Sequence, residues 1–98
     1  MKRSVKLTSD QAERIALNML AWLVSNDELL PIFMGATGAG QDTLRDRAGD
    51  PEFLAAMLDF MMMDDQWIMQ ACDAQGLAYD LVAQVRHALP GGSEMHWT

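Results

Sequence analysis

The sequence predicts an all-α fold: a compact bundle of about six short helices built from two tandem pseudo-repeats. Three observations lead there. Residues 12–48 align without a gap on residues 50–86 at a constant offset of 38, which pairs Met19 with Met57, Leu20 with Leu58, Asp27 with Asp65, Gly38 with Gly76 and Asp42 with Asp80. Helix-capping residues stand before apolar stretches whose spacing is that of a helix face. No alternating apolar and polar run of strand length occurs. A helical unit this small cannot bury its own apolar face, so the two copies are expected to share one core.

The elements follow in order. Thr8-Ser9-Asp10-Gln11 is a capping box, and Ile15, Ala16, Met19, Leu20, Trp22 and Leu23 then recur at helical spacing, which sets a first helix over about 9–24. Ser25-Asn26-Asp27-Glu28 repeats the signature and starts a second helix through about Met34, with Pro31 a candidate kink. Gly35, Gly38 and Gly40 open the chain, and Asp42 is expected to cap a third helix over Thr43 to Ala48 with Leu44 inward. Asp50-Pro51 is an N-cap followed by proline at the first helical position, and the helix over about 51–63 is apolar nearly all round, as a central helix would be. Asp64 caps a fifth helix over about 65–75, which Gly76 ends as a left-handed cap. A sixth, over about 78–89, presents Leu81, Val82, Val85 and Leu89 and stops at Pro90-Gly91-Gly92. Domain organisation is then a basic flexible N-terminus (1–8), one helical domain (9–92) and a flexible tail (93–98) that carries Trp97. Leu20, Trp22, Leu23, Phe53, Leu54, Met57, Leu58, Phe60, Met61, Ile68, Cys72, Val82 and Val85 are the expected core.

Charge narrows the function. The net charge is −7, and Lys2, Arg3 and Lys6 supply three of the seven basic residues, so the body of the chain is more acidic still. Such a body repels phosphate backbones, and partners are expected to be proteins rather than nucleic acid. The basic start has no apolar run behind it and no stretch reaches membrane-spanning length, which with a single cysteine, Cys72, suggests the cytoplasm.

Motifs with chemistry in them are weak. Met69 to Val85 invites a helix-turn-helix reading around Gly76, and a degenerate DNA-binding protein is the alternative function. Its recognition helix, however, would run Tyr79 to His87 with one arginine, and in the first copy Asp42 and Asp46 offset Arg45 and Arg47. His87 falls in a last helical turn, where a cation is favoured by the helix dipole alone, and His96 has no partner in sequence. Asp64 and Asp65 are adjacent rather than three or four apart, and Met57, Met61, Met62, Met63, Met69 and Cys72 are better core fillers than a copper site. The glycines at 35, 38 and 40 make no phosphate loop. The sequence therefore gives no catalytic residue, metal or cofactor, and an enzyme is not expected.

What remains is the difference between the copies. The polar stripe Arg14, Asn18, Ala21, Ser25 of the first helix corresponds to Glu52, Ala56, Asp59, Met63, and Pro31 corresponds to Met69. Met62, Met63 and Met69 thus form a flexible apolar edge beside Asp59, Asp64 and Asp73, the composition of an adaptable protein-binding surface. Finally, Ala21-Trp22-Leu23, Glu28-Leu29-Leu30-Pro31, Thr37-Gly38, Leu44-Arg45, Asp50 to Ala56 and Leu89 to Gly92 resemble a family of short alphaproteobacterial proteins known as a domain of unknown function, over about residues 10–92, with Met in place of Leu at positions such as 61–63. That resemblance implies no catalytic residue, substrate or cofactor. The function expected is a small cytoplasmic protein-interaction module, with a regulatory role in view.

Overall fold

The computed structural model describes residues 7–89, and the expectations for the basic N-terminal stretch 1–6 and for the tail after Leu89 lie outside them. Six helices follow one another: α1 (Ser9–Val24), α2 (Leu29–Thr37), α3 (Gln41–Arg47), α4 (Pro51–Met61), α5 (Asp65–Gln75) and α6 (Leu81–Ala88). No strand occurs among the described residues.

Local signals set most helix ends. The Thr8 hydroxyl accepts from the Gln11 N–H at 3.1 Å, and the Gln11 side chain returns the bond to the Thr8 N–H at 3.0 Å, which closes the capping box at α1. Leu7, just before it, packs against the core. Asp50 and Asp64 accept from the N–H groups of Glu52 and Gln66 and start α4 and α5. Gly38 and Gly76 end α2 and α5 with φ of +74° and +70°, a conformation that costs glycine least. After Gly76 the Leu77 N–H donates back to the Cys72 carbonyl at 2.9 Å, which completes a Schellman-type stop.

Three local expectations change. Asn26 does accept from the Glu28 and Leu29 N–H groups, but the chain turns once more before α2 begins at Leu29. Pro31 consequently lies in the first turn, where a missing donor breaks no helical bond, and α2 runs on unbroken to Thr37. Asp42 does not cap α3: extended Gly40 holds that position without a side-chain bond, and Asp42 sits inside the first turn. Leu44 does turn inward, and it is the only buried side chain of α3. Lastly, α4 ends at Met61 and α6 begins at Leu81, both shorter than their apolar patterns.

The core joins the two halves of the chain. α1 packs against α2, α4, α5 and α6, and α4 packs against α1, α5 and α6, so α1 shares the centre with the more apolar α4. Phe33 of α2, fully buried, meets Phe60 edge-on at 5.1 Å between ring centroids and Phe53 at 6.2 Å. Phe60 in turn stacks on Trp67 of α5 at 4.9 Å, so one aromatic chain links α2, α4 and α5. Gln75 ties α5 to α1 by donating to the Met19 sulfur at 3.3 Å. Every expected core residue is buried except Trp22, which is half-buried, while Phe33, Met19 and the small Ala12, Ala16 and Ala71 add to the core.

Candidate functional site

The connection between α4 and α5 is three residues long, Met62 to Asp64, and it is tight. The Met62 N–H donates to the Leu58 carbonyl at 2.8 Å, the Met63 N–H to Phe60 and the Asp64 N–H to Met61, both at 3.2 Å. Backbone bonding this dense leaves the side chains to point away. Met62 is 39% exposed, Met63 79% and, one turn into α5, Met69 41%. Met62 and Tyr79 face each other across a shallow cleft of about 190 Å³ floored by Ile68 and Val82. Met69 and Asp73, four residues apart, share one face of α5.

The acids beside this edge have partners of their own. Arg86 of α6 grips Asp59 with two nitrogens, Nε at 2.7 Å and Nη2 at 3.2 Å, so the charge of Asp59 is largely balanced. The Asp64 carboxylate caps α5. Asp73 accepts from the Tyr79 hydroxyl at 2.7 Å, and this bond, followed by burial and the carboxylate charge, raises the Tyr79 pKa.

A larger cleft lies in the first half of the chain. α1, α2 and α3 enclose a groove of about 780 Å³ whose apolar walls include Leu17, Ala21, Val24, Leu30, Leu44 and Ala48. Leu17 and Val24 are 44% and 41% exposed, so the groove stands open to water. Asn18, Ser25 and Gln41 edge it, and Arg45 is the one charged residue of its lining among the described residues. Val24, Leu30, Gln41, Leu44 and Arg45 here stand 38 residues before Met62, Ile68, Tyr79, Val82 and Ala83 of the smaller cleft.

Why the first cleft is the larger is visible in the side chains. α6 docks through two buried valines, Val82 and Val85, whereas α3 docks through Leu44 alone, and the residue 38 positions before Val85 is the exposed Arg47. Arg47 instead reaches Asp50, with Nε at 2.9 Å and Nη2 at 2.6 Å, and lies 5.5 Å from the centre of the Phe53 ring. That ion pair, then the Glu52 N–H, lowers the Asp50 pKa. Where the second half has the Asp59–Arg86 pair, the first has Ala21 and Ala48. Sequence reasoning placed Asn18, Ala21 and Ser25 on a solvent face and so passed over the groove. Two alanines opposite an ion pair, and an arginine opposite a core valine, were the signal.

Other groups considered from sequence are dispersed. Arg47 and Arg86 are each paired with a different aspartate, and exposed His87 sits in the last turn of α6. Cys72 is buried, its thiol 3.8 Å from the Ala78 carbonyl, and burial, with Asp73 second, raises its pKa. Among the described residues no three His, Cys, Asp or Glu side chains group to hold a metal ion, and no helix is long and apolar enough to cross a membrane. His96 lies outside them.

No curated protein and no solved structure matches the chain. A family model described as "Protein of unknown function (DUF3572)" covers residues 9–92, and the chain belongs to that family.

Proposed function

We propose that this chain is a small cytoplasmic protein-interaction module with a regulatory role, built from two copies of one helical unit, and that it binds a partner protein through the edge formed by Met62, Met63 and Met69. The observation that carries this reading is the exposure of all three methionines, Met62 and Met63 on a short connection whose N–H groups are bonded and Met69 one turn into α5. Exposed thioether side chains on a rigid frame adapt their shape to a partner at little backbone cost. Asp64 and Asp73, with Asp59 neutralised by Arg86, leave a modest negative rim that suits a partner with basic residues around an apolar centre. The duplication is supported by Gly38 and Gly76, both left-handed helix caps, and by two clefts lined at positions 38 apart.

The test is position-specific crosslinking in the native host. A photo-reactive residue replacing Met62, Met63 or Met69 should capture the same protein, one replacing exposed Ala56 of α4 should not, and Met63→Ser with Met69→Gln added to the derivative at position 62 should abolish capture while helical circular dichroism and melting temperature hold. Equal capture from position 56, or a double variant that unfolds, would reject the edge as a binding surface.

A further inference from the structure

The groove between α1, α2 and α3 is a surface separate from the methionine edge, and we infer that it docks an amphipathic helix of a partner protein. The occupant has an apolar stripe against Leu17, Ala21, Val24 and Leu44, one carboxylate that reaches Arg45, and basic flanks facing Asp42 and Asp46.

Shape argues for a helix. The groove is open along the stretch of α1 from Leu17 to Val24, about 10 Å at the helical rise, which matches two turns of a docked helix anchored at positions i, i+3 or i+4, and i+7. A small ligand would be left half in water there, because small-molecule sites enclose most of the ligand surface and Leu17 and Val24 lie open.

Charge argues for the rest. Arg45 is in no ion pair or hydrogen bond among the described residues, whereas Arg47 and Arg86 each hold an aspartate. Its guanidinium, on the rim of an apolar wall, is suited to a single carboxylate from outside. Asp42 and Asp46 are exposed on the same short helix, and the chain carries a net charge of −7, so residues of the occupant beyond the stripe must be basic rather than acidic. In the second half of the chain Asp59 reaches across to Arg86, and the cleft lined at positions 38 residues on holds only about 190 Å³. Ala21 and Ala48 leave that bridge unbuilt in the first half.

The probe is a stapled 14-residue helical peptide with leucines at i, i+3, i+4 and i+7, one glutamate beside the stripe and lysine flanks, titrated onto the full chain by fluorescence anisotropy. Saturable binding is expected. Arg45→Glu should weaken it about fivefold, the size of a partly exposed ion pair, and a peptide with lysine in place of the glutamate should recover the loss. Ala21→Asp with Ala48→Arg should rebuild the bridge, close the groove and abolish binding with the fold intact. Should that variant not fold, Val24→Lys, a change at an exposed position, must weaken binding in its place. Met63→Ser with Met69→Gln should leave peptide affinity unchanged, which separates this surface from the methionine edge. Binding that is indifferent to Arg45→Glu and to the closing or Val24 variants would overturn the inference. So would a concentration-dependent dimer that the peptide dissolves, which would make a second copy the occupant, or a chain ending at Leu89 that binds the peptide far more tightly, which would make it the chain's own C-terminal segment.

Discussion

Phe33→Ala is the sharpest test of how the two halves are joined. Phe33 is fully buried and touches the rings of Phe53 and Phe60 edge-on, so its removal opens a void at the point where α2 meets α4. A buried Phe→Ala substitution costs about 3–5 kcal/mol, and with two aromatic neighbours forfeited the upper half of that range is expected. A domain of this size has a total stability of roughly 5–15 kcal/mol, so the variant should lose about a third of it or more. Urea unfolding followed by helical circular dichroism has a slope of about 1 kcal/mol per molar for small domains, which translates the loss into a midpoint lower by about 4–5 M. Trp22→Ala is the control. Trp22 is larger but half-buried, and the part of its surface already in water is not lost on truncation, so its cost should be smaller than that of Phe33. A Phe33→Ala midpoint within about 1 M of the parent, or a Trp22→Ala loss that exceeds it, would refute the placement of the aromatic chain at the centre of the core.

Three further outcomes follow from single residues. Gly35→Ala should stabilise the fold by about 0.5–1 kcal/mol and raise the melting temperature, and Gly38→Ala should destabilise it by about 1–2 kcal/mol and lower it, because an added Cβ meets nothing at either site and only Gly38 has a positive φ; equal shifts would contradict that backbone assignment. The depressed Asp50 pKa means that its contribution to stability is complete above the ordinary aspartate range and is lost as pH falls from about 4 through the lowered value; the urea midpoints of the parent and Asp50→Asn should therefore converge in acid, and a gap that widens there would reverse the sign. Cys72, buried with a raised pKa, should react with a maleimide only as fast as the fold opens, so fast labelling of native protein would place the thiol elsewhere.

The parts of this molecule that were legible in its sequence are those decided within a few residues. Thr8 with Gln11, Asp50 with Pro51, Asp64, and Gly76 each fix a helix end through bonds to near neighbours, and the structure has all of them. Where two residues compete for the same local role, pattern alone does not choose: Asp42 is a better capping residue than Gly40, but the extended backbone at Gly40 places the helix start one residue before Asp42. Phe33 was missed for a related reason. α2 is apolar on nearly every face, so periodicity could not say which side chain turns inward, and only its meeting with Phe53 and Phe60 decides it.

The groove was hidden more deeply, since a gap between helices is a deficit of volume and leaves no motif. It becomes readable only by setting each residue against its counterpart 38 positions away. Arg47 against Val85 says that α3 lacks the second anchor that α6 has; Ala21 and Ala48 against Asp59 and Arg86 say that nothing bridges the gap that results. An arginine that leaves the core position to hold Asp50 and cover Phe53 stabilises the start of α4, so the opening of the groove is compatible with a folded first half. The second half thus has an ion pair between α4 and α6 and only a small cleft, whereas the first keeps apolar walls and, among the described residues, an arginine at the rim that no aspartate holds, which is where the proposed helix has room to dock.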